Sequence, residues 1–222
     1  MRGFGGKRAC CDPENNSLGG VGRKLGVRAG GSTVPVHVFM LEACLPLHGF
    51  VTMKKPPEFS TCDLCDLHKS DGSGTFRVLP PVFHDFGRYK RFAGPVVTVQ
   101  CLDDNSLVKA AVESPGEGRV LVVDGGASLR RALMGGNLGA AAAHNGWAGV
   151  LVDGCVRDKA ELAVCDTGIR ALALMPLPTE RRNQGVRDTV VRIQGVWVRP
   201  GDWLYADEDG TVVADRPLHA AG

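Results

Sequence analysis

The chain has 222 residues, of which 44% are hydrophobic and 23% charged, as is ordinary for a folded domain with a core of useful size. Its formal charge of +2, with basic residues scattered among acidic ones, gives no surface of the kind that attracts nucleic acids or anionic membranes. No apolar run approaches the roughly 20 residues of a membrane-spanning helix, so neither a nucleic-acid partner nor a membrane partner is expected.

The chain divides near Met53. Residues 1–52 are rich in glycine and have no clear hydrophobic period, and their basic residues outnumber the acidic ones. A secretory signal would place its apolar stretch directly behind a short basic start, which this segment does not do. A disordered extension, an organelle-targeting segment and a start site misplaced upstream of Met53 all stay open. Among these we expect a disordered extension over residues 1–52, followed by one domain over residues 53–222.

Eight cysteines raise the question of metal or redox chemistry, but only Cys62 and Cys65 form a CxxC pair. A zinc ribbon needs a second pair of ligands at matching spacing, and the sequence has none. The surrounding FSTCDLCDLHK is typical of a helix with Ser60 or Thr61 as N-cap. We therefore expect two thiols one turn apart on a helix, in a reducing compartment such as the cytoplasm. Redox or metal chemistry is the alternative.

Farther along the chain, strands alternate with helices. Three continuous apolar segments predict buried strands: RFAGPVVTVQCL, GRVLVVDGG and GVLVDG. Three segments predict helices: DDNSLVKAAVES, SLRRALMGGNLGAAAAHNGWAG (interrupted at Gly135 and Gly136) and DKAELAVCD. The C-terminal third instead holds short strands between turns. This order predicts an α/β fold, a layered sandwich around a mixed sheet.

The glycines inside the second helical segment are the first feature with a chemical interpretation. Gly135, Gly136, Asn137 and Leu138 precede a helix-prone run of alanines. The first turn of a helix leaves backbone N–H groups without acceptors, and such groups bind a carboxylate or a phosphate. The alternative is purely structural, because many helices begin after a glycine only to make the turn.

The second feature lies at the end of the GVLVDG strand, where Arg157 and Asp158 follow one another. Ligands of α/β folds gather beyond the carboxyl ends of such strands. The pair could place a fixed cation and a metal-binding carboxylate in one small site. The alternative is that both residues only open the helix DKAELAVCD. Asp124 and Asp153, also at strand ends, are interpreted as turn aspartates or as supporting groups.

Several separate motifs, in sequence order, resemble one known family. PPVFHDFG, the run from GPVVTVQC to LVDGCVRD, and GDWLYADEDGTVV are similar to the family that contains regulator of ribonuclease activity A and 4-hydroxy-4-methyl-2-oxoglutarate aldolase. The resemblance covers about residues 57–215 and implies a β/β/α swivelling-type sandwich, assembled as a homotrimer with sites between subunits. It also implies a metal-dependent, class II aldolase that cleaves 4-hydroxy-2-oxo acids to pyruvate and decarboxylates oxaloacetate as a side activity.

The resemblance further implies roles for individual residues. The backbone amides of residues 135–138 would hold the carboxylate of pyruvate or of the parent 2-oxo acid. Arg157 would contact the 2-oxo oxygen of the substrate. Asp158 would bind the divalent cation, Mg2+ in the first instance and Mn2+ as the alternative. A single carboxylate is chemically sufficient for Mg2+, which keeps several waters in its coordination sphere.

The sequence departs from the family's pattern at one position. Aldolases of the family carry an acidic residue separated by twenty residues from the Arg-Asp pair, and counting back from Arg157 past residues 137–156 reaches Gly136. We expect the loss of that carboxylate to impair the orientation of a water and to lower activity. The alternative function is a protein-binding inhibitor of ribonuclease E or of an RNA helicase, which has no need of Asp158.

Overall fold

The computed structural model describes residues 58–219, so the expected extension 1–52 and the division near Met53 lie outside the described residues. The helices are α1 (Thr61–His68), α2 (Ser106–Val112), α3 (Gly136–His144) and α4 (Lys159–Leu162). The strands are β1 (Phe76–Val78), β2 (His84–Asp85), β3 (Phe92–Gln100), β4 (Val120–Met134), β5 (Gly149–Val156), β6 (Gly168–Leu174), β7 (Val186–Arg187), β8 (Val191–Ile193), β9 (Val196–Val198), β10 (Trp203–Ala206) and β11 (Thr211–Ala214).

Within residues 58–219, nine strands form one mixed sheet in the order β1-β11-β10-β3-β4-β5-β6-β2, with β7 paired to β3. Strands β3, β4, β5 and β6 run parallel, and the pairs at the two ends of the sheet are antiparallel. Parallel strands need a crossover, and α2, α3 and α4 supply it here. The carboxyl ends of the four parallel strands therefore meet at one edge of the sheet.

A different layer covers each face of the sheet, because successive side chains of a strand point to opposite faces. On one face, side chains such as Val99 and Leu121 pack under α2, α3 and α4. On the other face, Val122 packs against Ile193 of the separate hairpin β8–β9. The layers are thus hairpin, sheet and helices, and the predicted layered α/β sandwich with a mixed sheet is confirmed.

Helix α1 forms where the CxxC pattern predicted a helix. Its N-cap is Ser60, whose hydroxyl accepts a hydrogen bond from an amide of the first turn. Cys62 is exposed, Cys65 is partly buried, and both thiols are free. The amide and hydroxyl of Thr61 donate to the Asp207 carboxylate, at 2.7 and 2.5 Å. Within residues 58–219, no helix has the length and apolarity needed to cross a membrane.

The prediction of a helix for SLRRALM was wrong, because β4 continues through this segment to Met134. Ala132 pairs with Cys155 of β5 across a series of register shifts, and its amide donates to the Leu177 carbonyl at 2.8 Å. Helical propensities differ by only about 0.7 kcal/mol per residue, so pairing on both sides outweighs them. Residues 136–144 of that segment do form α3, while α4 is much shorter than DKAELAVCD predicted.

A buried arginine joins β6 to the antiparallel parts of the sheet. Arg170 is 4% exposed, and its Nε donates to Asp85 of β2 at 2.8 Å. Nη1 donates to the Gly210 carbonyl at 2.5 Å and to the Thr211 hydroxyl at 2.7 Å, and Nη2 donates to the Asp207 carbonyl. One guanidinium thus satisfies acceptors on β2 and in the turn between β10 and β11.

Replacing this arginine should destabilise the fold strongly. In Arg170→Met, Asp85 and the acceptors near the β10–β11 turn lose their donor, so we expect the free energy of unfolding to fall by about 3 kcal/mol. Arg88→Met is the matched control, because Arg88 and its partner Asp166 are both more than half exposed and their ion pair contributes less than about 1 kcal/mol. Urea denaturation measures both variants, and equal losses would contradict the interpretation.

Candidate functional site

The parallel pairing of β4 and β5 brings the two predicted functional segments together. The last pair in the register is Met134 with Val156. One residue later, the Arg157 amide donates to the Met134 carbonyl at 2.9 Å. Gly135, which caps α3, therefore lies beside Arg157 at the carboxyl edge of the sheet. Segments more than twenty residues apart in the sequence meet there because parallel neighbours end at the same edge.

Asp158 adopts a backbone conformation that is unusual for a residue other than glycine. Its φ of 58° and ψ of 49° lie in the left-handed region, and its side chain makes no capping bond to α4. The carboxylate instead accepts a hydrogen bond from the Gly136 amide at 3.2 Å and lies 3.3 Å from Nε of Arg157. The Asp158 carboxylate therefore faces Arg157 and the start of α3 and does not cap α4.

The two glycines are needed because carboxylates approach them closely. A Cβ on Gly135 would lie 2.5 Å from Oδ2 of Asp158, and a Cβ on Gly136 would overlap the Glu161 carboxylate. The Glu161 carboxylate thus occupies the space that a side chain at position 136 would fill. Sequence analysis did not identify Glu161, although its spacing of three residues from Asp158, about one helical turn, was a usable signal.

Three amides at the start of α3 have acceptors within the protein. The Gly136 amide already faces a carboxylate, that of Asp158. The Leu138 and Gly139 amides both bond to the Gly135 carbonyl, each at 3.0 Å. The helix N-terminus is thus directed toward the space beside Asp158, and its partial positive charge favours an anion there. That residues 135–138 hold the carboxylate of a substrate stays a prediction.

A cavity of about 440 Å3 opens above this meeting point. Residues that follow all four parallel strands line it, among them Asn105, Lys109, Leu138, Arg157, Asp158 and Arg181. Its volume suits a small organic acid. The side chains of Arg157 and Asp158 are 40% and 35% exposed, so both are accessible from the cavity.

Arg181 gives the cavity a second guanidinium that sequence analysis did not identify. Its Nε faces Oδ1 of Asn105 at 3.5 Å, which is a weak contact. Lys109, in contrast, is paired with Glu113 at 2.5 Å. Across residues 58–219, no ion pair joins Arg181 to a carboxylate. The cavity therefore offers an anionic ligand the guanidinium of Arg181 in addition to that of Arg157, which contacts Asp158.

The oxygen donors of the site fit a hard divalent cation. The described part of the chain, residues 58–219, contains no group of three or more His, Cys, Asp or Glu side chains arranged around a metal position. A tetrahedral zinc site of the structural type is therefore absent from that part. Mg2+ keeps several waters and needs only one or two carboxylates, and Asp158 supplies one on the cavity wall.

Comparison with known proteins identifies relatives over most of the described chain. The sequence model of the Aldolase/RraA family matches residues 61–213. A protein of Albidiferax ferrireducens, provisionally named 4-hydroxy-4-methyl-2-oxoglutarate aldolase, is 70% identical over 166 residues, which cover 71% of this chain and 96% of the relative. Names of this kind support an aldolase, that is, a lyase.

Solved structures are similar as well. The RNA-processing inhibitor RraA from Thermus thermophilis is 44% identical, with a TM-score of 0.69, over 74% of this chain and 96% of its own. A Geobacillus kaustophilus protein described as S-adenosylmethionine:2-dimethylmenaquinone methyltransferase is 40% identical, with a TM-score of 0.67, over 72% and 97%. Because these descriptions differ on similar folds, function has to be argued from the site.

Asp124 and Asp153 do not line the cavity. They are neighbours on β4 and β5, and their carboxylates accept hydrogen bonds from the side chains of Gln100 at 2.9 Å and Gln194 at 2.7 Å. Gln194 belongs to the turn of the β8–β9 hairpin, on the opposite face from the helices. Burial, and with it the nearby Asp124 charge, raises the pKa of Asp153. Both aspartates therefore bind glutamine side chains and lie outside this cavity.

The raised pKa of Asp153 gives a pH-dependent stability. The folded state binds the proton of Asp153 more tightly than the unfolded state does. The stabilisation that protonated Asp153 gives is therefore largest below the ordinary pKa of 3.8, and it is lost as the pH rises through the pKa of the folded state. We expect Asp153→Asn to be more stable than the unchanged protein at pH 7 and to lose that advantage near pH 4. Asp188→Asn, at an exposed position, is the control. Urea denaturation at a series of pH values measures the difference, and a pH-independent difference would contradict this assignment.

Proposed function

This chain belongs to the Aldolase/RraA family, and on that basis we propose that it is a divalent-metal-dependent lyase that cleaves 4-hydroxy-4-methyl-2-oxoglutarate and related 4-hydroxy-2-oxo acids to pyruvate. One observation carries the proposal: Arg157 and Asp158 are held together on the wall of a cavity, beside the start of α3. The cavity thereby combines a fixed cation, a carboxylate and a helix N-terminus.

The chemistry of the cleavage explains why these groups are needed. Retro-aldol cleavage breaks the C3–C4 bond and leaves its electron pair on the pyruvate fragment as an enolate, so negative charge grows on the 2-oxo oxygen. Arg157 stabilises that charge where it develops. A divalent cation held by Asp158 would supply Lewis-acid polarisation of the same oxygen. Loss of CO2 from oxaloacetate produces the same enolate, and we include this decarboxylation in the proposal.

The cavity also suggests how the substrate is oriented. The carboxylate next to the 2-oxo group would lie at the N-terminus of α3, where the helix favours negative charge. The 2-oxo oxygen would then face Arg157, and a second carboxylate at the far end of the substrate would be bound by Arg181. In support, Arg157 and Arg181 line the same cavity from the loops that follow β5 and β6.

A group is also needed that receives the proton of the 4-hydroxyl. Glu161 supports this part of the proposal, because its carboxylate lies in the space of a side chain at position 136. Aldolases that the sequence resembles carry their acidic residue at that position. We therefore assign to Glu161 the orientation of a water that accepts the proton, and Gly136 is then required rather than deleterious.

Assembly is part of the proposal as well. The resemblance implies a homotrimer with sites between subunits. The partial exposure of Arg157 and Asp158 leaves these side chains accessible to a neighbouring subunit. Sedimentation equilibrium of the full chain tests this, with three copies as the expected result and a monomer as the contradicting one.

A second candidate function is a protein-binding inhibitor of ribonuclease E or of an RNA helicase. The similarity to the Thermus RNA-processing inhibitor favours it. Such a function would use an outer surface of the protein and would leave the cavity without a catalytic role. Asp158 separates the two candidates, because only the lyase depends on it.

The first test is pyruvate release by the full chain from 4-hydroxy-4-methyl-2-oxoglutarate and from oxaloacetate. We expect release with Mg2+ or Mn2+ and none with EDTA. Asp158→Ala should lower kcat/KM by about 100-fold or more, since it removes the metal-binding carboxylate. Asp166→Ala is the control, because Asp166 is an exposed aspartate that does not line the cavity. Equal activity in the Asp158 variant would sink the lyase assignment.

The assignment of Glu161 has its own test. Glu161→Gln should lower kcat by about 100-fold, the usual range for a group that assists proton transfer. Gly136→Asp alone should also be impaired, because its new side chain would compete with Glu161 for the same space. Combining Gly136→Asp with Glu161→Ala should recover part of kcat. An unchanged kcat in Glu161→Gln would show that this space needs no carboxylate. No recovery in the double variant would contradict the equivalence of a carboxylate at position 136 and that of Glu161.

A further inference from the structure

One wall of the cavity comes from the segment that follows β6. Thr179 and Arg181 line the cavity from this segment, whereas Asn105 and Lys109 line it from the start of α2. The two elements are far apart in the sequence and have no strand pairing with each other. The Ala132–Pro178 bridge and the pairing of β7 with β3 hold the two ends of the arginine-bearing segment, and a further link holds its middle against α2.

That link is the buried carboxylate of Asp104, which is 0% exposed. Its Oδ1 accepts from the amide and the hydroxyl of Ser106, at 2.8 and 2.6 Å, at the first residue of α2. Its Oδ2 accepts from the amides of Arg182 and Gln184, at 2.8 and 3.0 Å. One carboxylate thus joins the helix start to the backbone that immediately follows Arg181.

The backbone of this segment fits the link closely. The Asn183 amide donates to the Ser106 hydroxyl at 3.2 Å, and Asn183 has a φ of 57°, which asparagine tolerates better than most residues. Gly185 has a φ of 137°, and a Cβ there would lie 2.5 Å from the Gln100 carbonyl oxygen. Three consecutive amides, those of residues 182–184, are therefore bound to the Asp104–Ser106 pair.

The link requires a charged acceptor. Burial by itself raises the pKa of Asp104, but its hydrogen bonds outweigh burial and lower the pKa to about 2. The group is therefore ionised at neutral pH, and hydrogen bonds to an ionised acceptor are stronger than neutral ones. An asparagine of the same shape would turn an NH2 group toward N–H donors and could not replace it.

We infer that Asp104 is a positioning residue: it fixes the backbone beside Arg181 and thereby sets the preference of the cavity for 2-oxo acids that carry a second carboxylate. This inference rests on the proposed function, in which Arg181 binds the distal carboxylate. Asp104 itself touches no substrate, since it is fully buried and does not line the cavity. Its effect therefore reaches the ligand through the two cavity walls that it joins, the segment that carries Arg181 and the start of α2.

Two ligands of equal carbon number isolate this effect. 2-Oxoglutarate carries the second carboxylate, 2-oxopentanoate lacks it, and neither has the 4-hydroxyl needed for cleavage. Asp104→Asn should weaken the binding of 2-oxoglutarate about tenfold, the scale of one hydrogen bond to a charged group. Binding of 2-oxopentanoate should stay within about twofold, because its remaining contacts involve other elements.

Matched variants separate positioning from a general loss of structure. Asp103→Asn makes the same chemical change one residue earlier, where the carboxylate contacts Ser128 and Arg130 and not the arginine-bearing segment. It should leave both affinities unchanged. Ser106→Ala keeps the Asp104 charge but removes the acceptor of the Asn183 amide. It should give a smaller loss that is again selective for 2-oxoglutarate.

The experiment is titration calorimetry of the full chain and the three variants with both ligands in Mg2+, beside the rate of tryptic cleavage after Arg181 and Arg182. We expect Asp104→Asn to lose affinity for 2-oxoglutarate but not for 2-oxopentanoate, and we expect trypsin to cleave it about tenfold faster or more. Equal loss of both ligands, or unchanged binding and cleavage, would overturn the inference. Absence of pyruvate release from 4-hydroxy-4-methyl-2-oxoglutarate by the unchanged protein would refute the proposed function alone. Ligand affinity and the rate of tryptic cleavage are both measured without catalytic turnover, so they test the role of Asp104 separately.

Discussion

The hydrogen bond from the Arg157 amide to the Met134 carbonyl, 2.9 Å long, extends the contact between β4 and β5 one residue past their last registered pair. The remainder of the site depends on this backbone contact. It places the first turn of α3 beside the turn into α4. Asp158 then adopts left-handed backbone, and its carboxylate accepts from the amide of Gly136. A small change of register between the two strands would separate the arginine, the carboxylate and the helix N-terminus.

Space is the second constraint, and the glycines provide it. The approach of the Asp158 carboxylate to Gly135 leaves no room for a side chain, and the Glu161 carboxylate takes the corresponding space at Gly136. A position that lacks an acidic residue in the sequence is therefore next to a carboxylate in the structure. Different elements of the fold can therefore place a carboxylate at the same location, so an acidic residue missing from one element can be replaced by one from another.

Buried charged groups around the site differ in their effect on the stability of the fold. Asp104 accepts four hydrogen bonds, which lower its pKa despite burial, so it holds a cavity wall as an anion. Arg170 similarly satisfies several acceptors and joins distant strands. Asp153 accepts from Gln194 beside another aspartate, and there burial prevails and raises the pKa. The balance between hydrogen-bond donors and desolvation decides whether the pKa of a buried carboxylate is lowered or raised. A lowered pKa means that the charged form stabilises the fold, and a raised pKa means that the charged form destabilises it.

The sequence by itself determined the buried strands, the start of α1, the helix after Gly135 and the Arg157–Asp158 pair, because apolar runs, caps and motif order are local signals. The tertiary structure decided what local signals cannot carry. SLRRALM became strand because pairing on both sides outweighs small differences in helix propensity. Glu161 reaches Gly136 because of the short α4, and Arg181 reaches the cavity because of the segment bound to Asp104. Their positions depend on contacts between residues far apart in the chain, and sequence spacing does not encode those contacts.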